Sequence, residues 1–154
     1  MNLGAWVTRH RPDNVILWPG YCPVHHRMSL SQINAKRREY PNAPFMVHPE
    51  APMEILLSAD AVESTGGMVS YVKTLPENST LIVGTEAGMI SRLIMERPDI
   101  HYVLASHDTV CANMKLTRLV HVRDALKNMQ YEIHVPEETA RRARRSIERM
   151  LATP

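Results

Sequence analysis

Short apolar runs that recur along the chain, each followed by a polar segment, constrain the fold of this sequence most strongly. Several of the runs are rich in valine and isoleucine and end at Gly, Pro, Ser or Thr, which is typical of buried parallel strands. The sequence predicts strands over residues 15–17, 45–47, 61–62, 81–83, 102–104 and 131–135.

Segments with helical spacing lie between these runs. The sequence predicts helices over residues 31–40, 52–57, 67–75, 87–97, 116–129 and 136–151. The second of them starts with Pro52, and proline favours the first turn of a helix. Strands that alternate with helices imply a mainly parallel sheet covered by helices on both faces. We therefore predict an α/β fold with three layers, αβα.

The composition is that of a globular domain without a strong charge bias. Of the 154 residues, 44% are hydrophobic, and the formal net charge is +2. These values exclude a disordered chain and give no reason to expect nucleic acid or a membrane as a partner. Five arginines lie between residues 141 and 149, just after Glu137 and Glu138. We interpret them as the solvated face of a terminal helix rather than as a polyanion site.

The sequence also predicts a cytoplasmic protein. Its apolar stretches are too short to cross a bilayer, and Arg9 and Arg11 interrupt the N-terminal segment where a signal peptide would need an apolar run. The two cysteines, Cys22 and Cys111, are far apart in sequence. In a reducing compartment they would stay unpaired, either as buried thiols or as ligands within a larger set.

Polar segments follow five of the predicted strands. Because parallel strands align their carboxyl ends, and α/β proteins bind ligands in the crevice there, we expect these segments to converge on one edge of the sheet. We call it the carboxyl edge. The segments are residues 18–22 (Trp-Pro-Gly-Tyr-Cys), 48–50 (His-Pro-Glu), 64–66 (Ser-Thr-Gly), 84–86 (Gly-Thr-Glu) and 106–108 (Ser-His-Asp).

Each segment allows a functional and a structural interpretation. His48 and Glu50 could act in acid–base chemistry, or Glu50 could merely complement the dipole of the helix after it. Ser64 and Thr65 precede glycines at a predicted helix start, where a carboxylate or phosphate could bind. They could equally serve as a helix cap.

The segment around Cys22 raises the question of a metal. His25 and His26 follow Cys22 closely, so zinc is conceivable. Two distant cysteines do not form a structural zinc pattern, however, and they are too few for a conventional iron–sulfur site.

Together these motifs resemble the C-terminal part of the quinolinate synthases, bacterial and plastid enzymes of NAD biosynthesis. The matching segments run across nearly the whole chain. In family order they are Asn2-Leu3-Gly4, Trp18-x-Gly20-x-Cys22-x-x-His25, His48-Pro49-Glu50, Ser64-Thr65-Gly66, Thr85-Glu86-x-Gly88, Cys111-x-Asn113-Met114-Lys115 and a helix that ends with Arg149-Met150-Leu151.

The resemblance implies a reaction and a cofactor. The enzyme would condense iminoaspartate, supplied by L-aspartate oxidase, with dihydroxyacetone phosphate to give quinolinate, phosphate and water. A 4Fe-4S cluster held by three cysteines would act as a Lewis acid through its open iron. Cys22 and Cys111 would be the second and third cluster ligands.

The resemblance also implies roles for the remaining residues of these motifs. Glu50 would be the acid–base group, and His48 and Pro49 would line the substrate site with it. Ser64 and Thr65 would hold a substrate carboxylate. Thr85, Glu86 and Met114 are further candidates for the rim of the site.

The resemblance further implies three similar α/β units around a pseudo-threefold axis, of which this chain would hold one. Residues 1–22 would end a preceding unit, residues 23–111 would form the α/β unit, and residues 112–154 would be a returning C-terminal segment. Because family members are longer, we expect the first cluster cysteine and a substrate-binding tyrosine to lie outside this sequence. The chain alone would then be inactive, and its exposed docking surfaces would favour self-association.

Two alternatives use the same residues. One is a non-catalytic α/β module that binds a small dicarboxylate or phosphate at Ser64-Thr65-Gly66 without a metal. The other is a thiol- or zinc-dependent hydrolase that uses Cys22 and His25.

Overall fold

The strands of this protein form one parallel sheet. The computed structural model describes residues 1–10 and 15–152. Its strands are β1 (Phe45–Val47), β2 (Ala61–Val62), β3 (Thr80–Gly84) and β4 (His101–Leu104), and they lie in the order β2-β1-β3-β4. Each neighbouring pair is parallel, so all four strands end at the same carboxyl edge.

Helices connect the strands and follow them. They are α1 (Asn2–His10), α2 (Pro23–His26), α3 (Leu30–Glu39), α4 (Met53–Ser58), α5 (Thr65–Val72), α6 (Gly88–Glu96), α7 (Leu119–Asn128) and α8 (Glu137–Leu151), with a short 3-10 helix over Met114–Leu116. Helix α3 shows how local sequence sets a boundary. Ser29 and Gln32 form a reciprocal capping box that pairs two backbone N–H groups at its start.

Alternation of side chains along the strands produces the predicted three layers. Successive strand residues point to opposite faces of the sheet. Phe45, Val47, Ile82 and Val103 pack on one face with residues of α3 and α4. Met46, Leu81 and Val83 pack on the opposite face with residues of α5 and α6. The αβα fold class is therefore confirmed.

The chain divides into two compact units, Met1–Ala112 and the part that begins at Asn113. The first unit contains the whole sheet, helices α1 to α6 and both cysteines. The second contains the 3-10 helix, α7 and α8. The pseudo-threefold arrangement and the assignment of residues 1–22 to a preceding unit remain predictions.

Two predicted strands are wrong. Residues 15–17 and 131–135 are irregular, and their apolar side chains face solvent: Ile16 is 99% exposed and Ile133 is 83% exposed. Backbone N–H and C=O groups need partners, and within the described residues no strand pairs with either run. The second run is also disrupted at its start, because Met129 and Tyr131 have positive φ angles of 48° and 65°, outside the extended region.

Gly84 brings β3 close to β1 at the carboxyl edge. A Cβ atom at this position would lie 2.8 Å from Phe45 Cε2 and 2.9 Å from Val47 Cγ2. Both neighbours are fully buried, so they have little room to move. The Gly84 carbonyl in turn accepts a 3.0 Å hydrogen bond from the backbone N–H of His48. The close packing therefore fixes the start of the His48-Pro49-Glu50 segment.

We expect Gly84→Ala to lower the free energy of unfolding by about 1–3 kcal/mol, because it overpacks this contact. Denaturant-induced unfolding measures the change. Gly66→Ala is the matched control, since Gly66 is exposed and a Cβ there would meet nothing within 4 Å. It should leave stability unchanged or raise it by up to about 1 kcal/mol. Equal effects of the two substitutions would contradict this account.

Candidate functional site

The polar segments after β1 and β3 meet at the carboxyl edge, and helix α2 lies against both. His25 of α2 makes the two connections. Its Nδ1 atom lies 3.0 Å from Glu50 Oε2, and its Nε2 atom lies 3.0 Å from Thr85 Oγ1. Residues 22–25, 48–50 and 85 are thus in one cluster, which we call the His25 cluster.

The local sequence explains how His25 reaches this position. Cys22 is extended and directly precedes α2, and Pro23 occupies the first turn, where its missing N–H costs nothing. Val24 and His25 are buried. The short helix therefore turns His25 inward and leaves Cys22 half-buried beside it.

Two histidine rings stack within the cluster. The centroids of His25 and His48 are 4.7 Å apart and their planes differ by 19°. Burial lowers the pKa of His25, and the nearby His48 lowers it further, whereas Glu50 acts in the opposite direction. Burial also lowers the pKa of His48, again opposed by Glu50. Near neutral pH both rings are therefore mainly uncharged, and each can donate one hydrogen bond and accept one.

Glu50 lies between these rings and solvent. Its Oε2 atom is 3.0 Å from His25 Nδ1 and 3.6 Å from His48 Nδ1, and 35% of its side chain is exposed. Pro49 is buried, and the turn closes with a hydrogen bond from the Ala51 N–H to the His48 carbonyl. Helix α1 supports the segment as well, because Asn2 Nδ2 donates to the Glu50 carbonyl at 2.9 Å. A carboxylate held in this way can exchange protons with a ligand.

A pocket opens beside Glu50 and Cys22. It has a volume of about 340 Å³ and is also lined by Asn2, Gly20 and Tyr21. This volume is at the lower end of the range for small-molecule sites. Glu50 and Cys22 thus line a space that can hold a small metabolite.

Cys111 is tied to the same edge through Glu86. Glu86 is 7% exposed. Its carboxylate accepts hydrogen bonds from the backbone N–H groups of Cys111, at 3.1 Å, and Gly88, at 2.7 Å. Glu86 follows Thr85 directly, so the two residues after β3 contact His25 on one side and the Cys111 segment on the other.

Ser64 and Thr65 follow β2 at the carboxyl edge. The Glu63 N–H donates to the Val47 carbonyl at 2.9 Å, which holds this segment beside the end of β1. Ser64 Oγ caps helix α5 by accepting from the Gly67 N–H at 3.1 Å. Both Ser64 and Thr65 are exposed. The capping role is confirmed for Ser64, and binding of a carboxylate by Ser64 and Thr65 stays a prediction.

One group of donors in the cluster suits a metal ion. Cys22, His25 and Glu50 each offer one ligand atom, and the three atoms lie within 4.8 Å of one another. Thiolate, imidazole and carboxylate are all ligands of transition metals.

A family model described as "Quinolinate synthetase A protein" matches residues 1–152. The chain belongs to this family. It is 45% identical to a quinolinate synthase from Dehalococcoides mccartyi over 149 residues, which cover 97% of this chain and 49% of that protein. A quinolinate synthase from Methanoregula boonei is 45% identical over 151 residues, or 98% of this chain and 50% of the relative. A quinolinate synthase from Geotalea uraniireducens is 41% identical over 153 residues, which cover 99% of this chain and 50% of the relative.

The chain therefore spans about half the length of the quinolinate synthases that it matches. No helix in the described part of the chain combines the length and the apolar character that crossing a bilayer requires.

The structure brings together most of the residues that the sequence singled out in this family member. Cys22, His48, Pro49 and Glu50 lie in or beside the His25 cluster, and Glu86 ties the Cys111 segment to the same edge. Met114 lies in the second unit. The link from His25 to Thr85 was not predicted, although both residues stand in the matching motifs.

Proposed function

We propose that this chain supplies one half of a quinolinate synthase, including the acid–base group and two of the three cluster ligands. The reaction condenses iminoaspartate with dihydroxyacetone phosphate and yields quinolinate, phosphate and water. The observation that carries the proposal is the placement of Glu50 against two stacked, neutral imidazoles, beside a pocket that Cys22 also lines. Membership of the quinolinate synthase family supports the assignment of this reaction.

Different residues of this chain bind the substrate and transfer protons. Glu50 accepts and returns protons, because its carboxylate contacts His25 and also reaches solvent. His48, held neutral by burial, orients an anionic substrate oxygen through a hydrogen bond, and the buried Pro49 keeps it in place. Ser64 and Thr65 bind a substrate carboxylate at the N-terminus of α5, where exposed N–H groups and the helix dipole favour an anion.

The cysteines fit part of a ligand set for a 4Fe-4S cluster. Cys22 and Cys111 are free, half-buried thiols, and thiolates are the ligands of such clusters. Both belong to segments anchored at the carboxyl edge by His25 and Glu86. When bound, the cluster supplies a Lewis-acidic iron. The sequence contains two cysteines, so the third thiolate comes from the half of the family's length that this chain does not match.

Exposed apolar side chains support docking of further units. Ile16, Leu17, Trp18 and Tyr21 are between 49% and 99% exposed, and Tyr21 lines the pocket. We infer an interaction site on this segment, because exposed apolar patches on a protein surface mark such sites. We assign it to the other two α/β units of a pseudo-threefold enzyme, or to a second copy when those units are missing. We further propose that the protein is cytoplasmic and that L-aspartate oxidase supplies its iminoaspartate.

A chimera tests this function. Residues 1–152 replace the matched half of the Dehalococcoides mccartyi quinolinate synthase, and the protein is reconstituted anaerobically with iron and sulfide. We expect broad charge-transfer absorption and formation of quinolinate from the two substrates. The parental enzyme is the positive control, and Cys22→Ser and Cys111→Ser should each remove both signals.

Two outcomes would count against the proposal. A chimera that unfolds as cooperatively as its parent yet forms no quinolinate would contradict it. Calorimetric binding of quinolinate without iron, unchanged by both cysteine substitutions, would favour a non-catalytic binding module instead.

A further inference from the structure

We propose that Cys22, His25 and Glu50 form a binding site for a single divalent cation of the zinc type when no cluster is present. The site does not depend on quinolinate synthesis. It follows from the donor atoms, the hydrogen bonds around them and the pocket beside them.

The donor atoms of Cys22, His25 and Glu50 suit zinc. Zinc takes thiolate sulfur, imidazole nitrogen and carboxylate oxygen at about 2.0–2.3 Å, so the donors of a tetrahedral site lie roughly 3.3–3.8 Å apart. His25 Nδ1 and Glu50 Oε2 are 3.0 Å apart, and all three donor atoms lie within 4.8 Å of one another. Small rotations of these side chains would bring the three donor atoms to tetrahedral separations. A thiolate and a carboxylate would also balance the charge of a divalent ion.

The orientation of the His25 ring also favours binding of a cation. Its Nδ1 is buried and makes no well-directed hydrogen bond within the described residues, although Glu50 Oε2 lies 3.0 Å away. Thr85 Oγ1 lies 3.0 Å from Nε2 and can accept or donate a hydrogen bond. Because Nδ1 has no partner in hydrogen-bonding geometry among the residues that the structure describes, we assign the ring proton to Nε2, which donates to the Thr85 hydroxyl. The lone pair of Nδ1 then faces Cys22 and Glu50. Metal-binding histidines typically hold their second nitrogen in this way.

This tautomer leaves two acceptors, Nδ1 and a carboxylate oxygen, facing each other in a buried place. Such a contact is unfavourable unless a proton or a cation lies between the two atoms. A divalent cation would satisfy both acceptors.

The site is accessible from solvent. The pocket of about 340 Å³ is lined by Cys22 and Glu50, so a cation can enter from solvent. Three protein ligands with a fourth position open to water is the arrangement of catalytic rather than structural zinc sites. Because Cys22 is also a proposed cluster ligand, the cation and the cluster would exclude each other.

Cobalt titration of the purified chain tests the proposal without iron, sulfide or substrates. Co²⁺ reports thiolate coordination through a charge-transfer band and tetrahedral geometry through its visible bands. We expect saturation at one Co²⁺ per chain and displacement by Zn²⁺. Cys22→Ser should abolish the charge-transfer band, and His25→Gln and Glu50→Gln should each weaken binding about tenfold or more.

Cys111→Ser is the matched control, because Cys111 is the other free, half-buried thiol. It should leave the cobalt spectrum unchanged. A band that survives Cys22→Ser, or that Cys111→Ser removes, would overturn the proposal.

Alkylation of the unmutated chain provides a measurement that does not depend on any variant folding. Zn²⁺ should protect Cys22 from iodoacetamide and leave the rate at Cys111 unchanged, as mapped by mass spectrometry. Protection of neither cysteine, or of both equally, would also overturn it. The cluster assay of the chimera is separate, so failure of either proposal is recognised without reference to the other.

Discussion

Glu50→Gln should lower kcat for quinolinate formation by the chimera about 10²- to 10⁴-fold, the usual contribution of a general acid or base. The amide has nearly the same shape as the carboxylate and can keep a contact with His25, but it cannot take up or release a proton. Steady-state kinetics under anaerobic conditions measure the change. Cluster absorption should persist, because Glu50 is not one of the three thiolate ligands.

Glu77→Gln is the control for this substitution. Glu77 is exposed and lies just before β3, at the opposite edge of the sheet from the site. The same chemical change there should leave kcat unaltered. If Glu50→Gln retains the kcat of the chimera, the carboxylate moves no proton in the rate-determining part of the reaction, and its assigned role is wrong.

Thr85→Val should lower kcat about tenfold to a hundredfold. Thr85 is 3% exposed, and its hydroxyl lies 3.0 Å from His25 Nε2. Valine keeps the shape and removes the hydroxyl, which leaves a buried ring nitrogen without a partner at a cost of about 1–3 kcal/mol. His25 would then be free to turn, and the carboxylate of Glu50 would lose its support.

Thr85→Ser separates positioning from packing. Serine keeps the hydroxyl and loses the methyl group, so it should restore most of kcat even though the lost methyl group lowers the free energy of unfolding by about 1 kcal/mol. If the role of Thr85 is purely structural, kcat should instead fall in both variants in proportion to the stability that each one loses. Kinetics and denaturant unfolding of both variants, measured on the same preparations, distinguish the two cases.

The sheet and its carboxyl edge could be predicted from the sequence because strand residues are strongly constrained by burial. Phe45, Met46 and Val47 are all fully buried, and a short continuous apolar run of this type is typical of a buried strand. The runs at 15–17 and 131–135 are also rich in apolar residues, yet both are irregular. Composition describes what a segment can bury, whereas a strand also requires a neighbour with unpaired backbone groups.

The sequence could predict which residues belong to the site, but it could not predict which contacts they make with one another. Position after a strand places Glu50 and Thr85 at one edge, since parallel strands end together. The contacts of His25 depend on a four-residue helix that starts at Pro23, far from both partners in sequence. Its hydrogen-bonding geometry follows from tertiary packing, which local patterns do not encode.

The two outer strands of the sheet have a consequence for how this protein meets other molecules. Strand β2 has two residues and β4 has four, so neither presents a long row of free backbone groups for another chain to pair with. Growth of the sheet from one copy into the next is therefore disfavoured. We expect association to proceed through side chains around Ile16 and Trp18 instead, which would keep each αβα unit intact while its partners exchange.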